Sequence, residues 1–410
     1  MATDAVTPAR PITLWSQVKV LAASPMAPFY FIVTSVAVLV GVGFLMVLSA
    51  SSVVAQVEKG DPYYYTVRHF GFLVAGVVAA LILSRIKPAH LRRLGWPAWA
   101  LAVGLLILVV LFGAEINGNR NWLQLGPIQF QPAEFAKLAL VVWCGTVFHI
   151  KRGRLHEPAQ LAIPLVPLGG LILALVLAGR DLGTGLIIGV MLALVLFFVG
   201  ASMRVLVPLG AAALVLVGLL IYGSGNRMDR IAIFLNPESN TDLSSQPMAA
   251  LYALASGGWW GLGLGASRQK WGGLKTGAHT DYIFAVIGEE LGLFGVLLII
   301  ALFALLGWAG LEVAMRSDAM FNKVVAAGIT GWLLIQAVIN IFVVLHLLPV
   351  LGVPLPFVSN GGSALLASLM AVGVLLALAR DTPDARAFIA ARKKKSRPRM
   401  TSVMAATRED

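Results

Sequence analysis

The chain carries its apolar residues in long continuous runs separated by short polar segments bearing proline and glycine. A helix needs about 20 mainly apolar residues to cross a bilayer. Ten runs meet or approach that length: 29–48, 70–83, 98–113, 133–148, 162–177, 182–199, 205–222, 282–308, 324–347 and 363–378. They are continuous rather than alternating, which argues against a membrane barrel. No segment repeats another, so the inverted repeats of many transporters are not visible. The pattern predicts an all-α integral membrane protein of about ten transmembrane helices. Residues 1–24 read as a polar N-terminal tail without the small-residue cleavage site of a signal peptide. Residues 25–380 form the membrane domain. Within it, 223–281 is a long loop between helices 7 and 8, of a length that is usually functional or disordered. Its apolar part, 248–264, predicts an element lying on or dipping into the membrane. Residues 381–410 read as a basic, disordered tail.

Composition agrees. The chain is 59% hydrophobic and 12% charged, with mean hydropathy +0.86, against about 25% charged for a soluble domain. Most of the 31 Lys and Arg fall in the two tails and in the loops near 85–93, 151–154, 204 and 316–323. The positive-inside rule makes that side, with both termini, cytoplasmic and the long loop extracytoplasmic. The net charge of +12 is thereby explained by topology and implies no nucleic acid. The basic run Arg392-Lys-Lys-Lys395 is either a topology anchor on anionic lipid or a partner's docking point. Cys144 is the only cysteine, so no intrachain disulfide forms. The six histidines are scattered without zinc-ligand spacing. A P-loop is missing, which excludes ATP-driven transport by this chain alone.

The chemistry-bearing residues gather near the extracytoplasmic ends. Gly257-Gly-Trp-Trp-Gly-Leu-Gly-Leu-Gly265 leads through a polar run to Ala278-His279-Thr280-Asp281, which opens the eighth helix. Asp281 is either a helix cap or a working carboxylate at the membrane surface, where partial burial raises a pKa and tryptophans favour the interface. Glu289 and Glu290 lie about two turns further on, and at most one of them shares a cavity with Asp281. The fourth helix opens Gln131-Pro-Ala-Glu134-Phe-Ala-Lys137, after Arg120-Asn-Trp122. Glu134 and Lys137 share a face, as an internal ion pair or, with Arg120, as a phosphate or pyrophosphate site. Asp181 reads as an N-cap. Ser359 and Ser363 sit in a proline- and glycine-rich junction before the last helix, with Asn360 or Ser363 a candidate cap. Backbone of that kind is tolerated at membrane depth only against protein or a water-filled cavity.

Four motifs in order on ten spans resemble the SEDS family (shape, elongation, division and sporulation). They are Arg120-Asn-Trp122 through Lys137, Asp181-Leu-Gly-Thr, Ala278-His-Thr-Asp281 through Gly288-Glu-Glu-Leu-Gly292, and Pro354-Leu-Pro-Phe-Val-Ser-Asn-Gly-Gly-Ser363. The Leu48-Ser-Ala-Ser-Ser-Val53 stretch and the His-Thr before Asp281 are more similar to division than to elongation members. The resemblance implies a peptidoglycan glycosyltransferase that polymerises lipid II during septal wall synthesis. The reaction takes place at the outer face of the bacterial cytoplasmic membrane, at the division septum, and releases undecaprenyl pyrophosphate. It puts the general base on Asp281 and substrate contacts on Arg120, Trp122, Glu134, Lys137, His279, Thr280, Glu290, Ser359 and Ser363. It implies a class B penicillin-binding protein and other divisome proteins as partners. It implies no certain cofactor and no protein metal site, although a divalent cation, Mg2+ or Mn2+, can assist the leaving group. The alternative reading is a lipid II flippase. Three positions depart from the family pattern: Thr276-Gly277 stands for Pro-Glu, Arg180 for a proline and His346 for a glycine.

Overall fold

The computed structural model describes residues 24–395 apart from 117, 127, 156 and 238–240. The N-terminal tail through residue 23, Asn117 and the chain beyond 395 therefore lie outside the described residues. Among the described residues, ten helices are long and apolar enough to span a membrane. They are α1 (Ala27–Lys59), α2 (Tyr64–Leu83), α3 (Gly95–Phe112), α4 (Pro132–Ile150), α5 (Gln160–Ala178), α6 (Leu182–Val199), α7 (Met203–Tyr222), α10 (Ile283–Met315), α11 (Met320–Val344) and α12 (Gly362–Ala379). Between α7 and α10 come two further helices, α8 (Gly225–Leu235) and α9 (Thr241–Ser256). The tail is not wholly irregular, because α13 (Pro383–Lys395) is helical. The α7–α10 loop carries α8 and α9 at one end of the bundle, called the loop end below.

Local sequence sets the boundaries. Proline occupies the first turn of α1 and α4, where its missing N–H costs nothing and its φ suits a helix. Gly60 and Gly200 close α1 and α6 with left-handed backbone. Pro164 and Pro167 lie in α5, whose middle turn, 165–169, widens; proline removes a ladder hydrogen bond. The helices are not equally enclosed. Most of α4, α11 and α12 is buried, whereas α7 buries no residue at all.

The connection between α3 and α4 is a small antiparallel sheet that the apolar pattern does not predict. Strands β1 (Ala114–Ile116), β2 (Asn119–Leu125) and β3 (Ile128–Phe130) pair in chain order. Glu115 lies opposite Arg120, and Leu123 opposite Phe130. Gly118 and Gly126 take positive φ at the two turns. The Asn117-Gly118 pair is the hairpin signal that sequence reading passes over.

The glycine-tryptophan run is explained by α10, which breaks at Gly292 (φ 67°). The amides of Leu262 and Gly263 donate to the carbonyls of Glu289 and Glu290, and the amide of Leu293 to that of Gly258, at 2.9–3.0 Å. The run thus satisfies backbone groups that the break exposes, as buried peptide groups require. A methyl group at Gly257 or Gly261 would overlap the α10 backbone. Gly261 also has φ +79°, which costs an L-residue roughly 1–2 kcal/mol by itself. Gly261→Ala is therefore expected to lower thermal stability by more than that strain alone, read as a drop in melting temperature of the purified protein. An unchanged melting temperature would refute this docking of the run on α10.

Candidate active site

At the loop end, the start of α2, the sheet, the start of α6, α8 and the connections before α10 and α12 enclose a polar cavity of about 460 Å3. Asp281, His279, Thr280 and Trp122 stand on its wall, together with Tyr65 and Arg68 of α2 and Arg230 of α8. Four of the residues singled out in the sequence thus converge across more than 150 positions.

Asp281 is held through its backbone. Asn340 on α11 donates to the Asp281 carbonyl at 2.8 Å and to that of Val353, also at 2.8 Å. The Ser359 hydroxyl donates to the Thr280 carbonyl at 2.8 Å and accepts the Leu355 amide. The Asn360 amide donates to the His279 carbonyl at 2.9 Å. These bonds tie the proline-rich junction to the Ala-His-Thr-Asp turn. The carboxylate itself bonds to none of the described residues and opens onto the cavity. Gly352 faces it, and a methyl there would sit 3.9 Å from Asp281 Oδ2. Burial pushes the Asp281 pKa up to about 6 from its usual 3.8, with the Arg230 charge partly opposing the rise. Burial lowers His279 to about 4, so its ring is neutral near pH 7. That ring lies 5.0 Å from the Tyr65 ring. Neutral imidazole against an aromatic face makes a wall, not a cation.

Asp181 also reaches the cavity, but as an N-cap. Its carboxylate accepts from the Thr184 amide and hydroxyl and from the side-chain amides of Asn121 and Gln131, at 2.9–3.1 Å. Both oxygens are committed. Among the described residues no group of three His, Cys, Asp or Glu converges on one point. The protein offers a divalent cation one uncommitted carboxylate here, whereas Mg2+ sites are completed by further carboxylates, waters and substrate phosphate. That donor set does not make a resident site.

Several other expected substrate contacts are not on this wall. Glu134 and Lys137 are a buried ion pair at 2.9 Å, both almost fully enclosed. The Lys137 ammonium also donates to Gln336 at 2.9 Å and lies 4.8 Å from the Trp332 ring centre. Arg120 turns away: its guanidinium donates to the Val110 carbonyl at 3.3 Å and its amide to that of Gly179 at 2.9 Å. Glu290 is paired with Lys270 at 3.1 Å and accepts from Ser49 and the Gly265 amide. Glu289 accepts from Ser267 and the Arg268 amide. Both glutamates therefore fasten the glycine-tryptophan loop, and neither faces Asp281. Ser363 accepts the Gln131 amide at 3.1 Å and so acts on the cavity through Gln131. Trp259, Trp260 and Trp271 are largely exposed and off the wall; the aromatic lining is Tyr65, Phe72 and Trp122.

No sequence motif points to Arg230, Arg68 or Tyr65 for this wall. The one local signal was Arg230 at the head of Ile-Ala-Ile-Phe-Leu-Asn236-Pro237 in the long loop.

The site is thus a helical bundle with a cavity at its loop end, onto which opens a carboxylate that has no partner among the described residues. The family model described as cell cycle protein, that of FtsW, RodA and SpoVE, matches residues 30–383. The chain belongs to this family. It is 36% identical over 370 residues to the probable peptidoglycan glycosyltransferase FtsW of Mycobacterium tuberculosis, covering 90% of this chain and 70% of that protein. It is 34% identical to the stage V sporulation protein E of Bacillus subtilis, covering 86% and 97%. Among solved structures it is similar to a chain of a peptidoglycan synthase complex that coordinates polymerization and crosslinking, with TM-score 0.70, 29% identity and coverage of 86% and 97%. The rod shape determining protein RodA of Thermus thermophilus gives TM-score 0.63 at 29% identity, covering 86% and 96%.

Two of the departures from the family pattern have a backbone consequence. Arg180 has φ +63° and His346 φ +55°. Proline cannot adopt the first value, so Arg180 sets a different approach to Asp181. Glycine adopts the second without strain; here the imidazole packs 5.2 Å from the Phe234 ring.

Proposed function

We propose that the chain polymerises lipid II into glycan strands at the outer face of the cytoplasmic membrane, with Asp281 as general base. The loop end then faces outward, a placement that the distribution of Lys and Arg supports. The acceptor's GlcNAc 4-hydroxyl attacks the anomeric carbon of the lipid-linked MurNAc of the growing chain. Asp281 takes the hydroxyl proton as the new C–O bond forms. The bond from the anomeric carbon to the pyrophosphate oxygen breaks, and undecaprenyl pyrophosphate leaves with the electron pair, inverting the configuration. The supporting observation is the carboxylate that opens onto the cavity with no partner among the described residues and a pKa near 6. A catalytic base works best with a pKa near the operating pH. Tyr65, Phe72 and Trp122 give sugar rings an apolar face.

The flippase alternative is less well supported. A flippase needs polar groups along its whole path, whereas beyond Lys137 the facing helices α4 and α12 bury almost only apolar side chains. We place the enzyme at the division septum, beside a single-span class B penicillin-binding protein and other divisome proteins, as relatives named FtsW and the solved synthase complex suggest. Purified chain in proteoliposomes, supplied with lipid II with and without that transpeptidase, is expected to yield glycan polymer. Lipid II translocation with no polymer under either condition would replace this reading with the flippase.

A further inference from the structure

A second chamber of about 500 Å3 adjoins the Asp281 cavity. The two share Asn119, Asp181, Arg230, Val350 and Leu351 as a partition. Three guanidinium groups line the second chamber: Arg180 before α6, and Arg227 and Arg230 on α8. Arg227 and Arg230 are three residues apart and hence neighbours on one helix face, where like charges repel. Their counter-charges are spoken for. Asp181, the chamber's one carboxylate, is bonded to Thr184, Asn121 and Gln131. Glu115 reaches only Arg180, at 3.5 Å and with both side chains at least half exposed. Asp229 is exposed and off the wall.

The arginines are oriented yet have donors to spare. Arg227 donates to the carbonyls of Leu220 and Arg180 at 2.8 and 3.0 Å, and Arg230 to that of Val350 at 3.1 Å. A guanidinium carries five N–H donors, so several remain free on each. Burial, then the charges of Arg230 and Arg180, lower the Arg227 pKa, with the Asp181 charge opposing them only in part. The first turn of the eleven-residue α8 adds to this, with Ser224 and Asn226 on the wall; helix N-termini favour anions. Leu177, Leu220 and Ile221 form an apolar side, and α7, to which the last two belong, buries nothing.

We propose that this chamber is a pyrophosphate site, in which Arg180, Arg227 and Arg230 hold the two phosphates of the lipid-linked sugar donor while its polyprenyl chain leaves along α7. The inference rests on the polymerase reading. It replaces Arg120 and Lys137, which are turned away or sealed, with a cluster that opens next to the base. The partition puts the departing pyrophosphate on one side of Asp181 and Arg230 and the attacking hydroxyl, at Asp281, on the other.

The test measures binding of undecaprenyl pyrophosphate, undecaprenyl phosphate and inorganic pyrophosphate to the full chain in nanodiscs. Charge-assisted hydrogen bonds predict that Arg227→Gln with Arg230→Gln weakens undecaprenyl pyrophosphate binding by roughly 10–100-fold. Arg227→Lys with Arg230→Lys, which keeps the charge but loses the bidentate fork, should fall between, and it carries the test if the glutamine pair does not fold. Inorganic pyrophosphate is expected to compete with the lipid form, and undecaprenyl phosphate to bind at least tenfold more weakly. Wild-type affinity in both double variants, or equal binding of the mono- and pyrophosphate lipids, would overturn the chamber. Asp281→Asn separates the two ideas: it should bind undecaprenyl pyrophosphate like wild type while making glycan about 10²–10⁴-fold more slowly. Unaltered lipid binding in the arginine variants alongside an inactive Asp281→Asn sinks only the chamber. Arginine-dependent binding in a chain that never polymerises lipid II sinks only the polymerase.

Discussion

Asp281→Asn is expected to lose glycan polymerisation by about 10²–10⁴-fold, the usual worth of a positioned general base, while remaining folded. The fold should survive because the side chain bonds to none of the described residues, and the turn is held instead by backbone contacts to Asn340, Ser359 and Asn360. The amide fills the same space but cannot take a proton. The pH profile gives a second readout. The working form is the carboxylate, so the wild-type rate should rise with pH through about 6 and flatten above it. The stability consequence has the opposite sign. The folded-state pKa lies above the usual 3.8, so the folded protein holds the proton more tightly than the unfolded chain does. Stability from this group therefore falls as pH rises from about 4 to about 6 and is constant above. Asp281→Asn should remove that part of the slope. Polymerisation by the variant within tenfold of wild type, measured with the transpeptidase present, would defeat the role assigned to this carboxylate.

How far such a site can be read from sequence depends on the range of its contacts. The ten spans were legible because hydrocarbon forces every backbone group to be satisfied inside its own segment, which leaves a continuous apolar record. Asp281, His279 and Thr280 were legible because they interrupt that record at the head of α10. Trp122 came from a motif. The Asp181 cap was legible from its place before Leu-Gly-Thr, since capping is local. Arg68 and Tyr65 left no such mark, and Arg230 left only its place in the long loop. Each sits on a different element from Asp281, and only the folding of α2 and α8 around the α10 start brings them to it. The Glu290–Lys270 pair was hidden in the same way. A carboxylate two turns into a membrane helix reads as functional by default, and its partner lies 20 residues back, in the polar run between the glycine-tryptophan segment and Asp281. The small sheet was missed because its outer strands are three residues long, too short for alternation to register.

Lys137→Ala is expected to destabilise the protein by about 3–5 kcal/mol, the range for breaking one partner out of a buried ion pair. Glu134 would be left almost fully buried with its counter-charge gone, and its Oε2 already lacks a partner. Gln336 would lose the ammonium it accepts from, though it keeps the Trp332 indole N–H and its own bond to the Pro354 carbonyl. Because Gln336 fastens the proline-rich junction, and that junction fastens the Asp281 turn, the damage should spread towards the site through packing rather than through lost substrate contact. The discriminating variant is Lys137→Met combined with Glu134→Gln, which removes both charges and keeps the volume. Replacing a buried pair with uncharged groups of similar size is often nearly neutral, so the double variant should regain most of the melting temperature and most of the polymerase activity. A direct pyrophosphate contact predicts the same melt but a different rate: the double variant would need far more lipid II to reach half-maximal rate. Thermal melts and a lipid II titration on the two variants therefore separate a structural stitch in the core of α4, α11 and α12 from a second anion site competing with the arginine chamber.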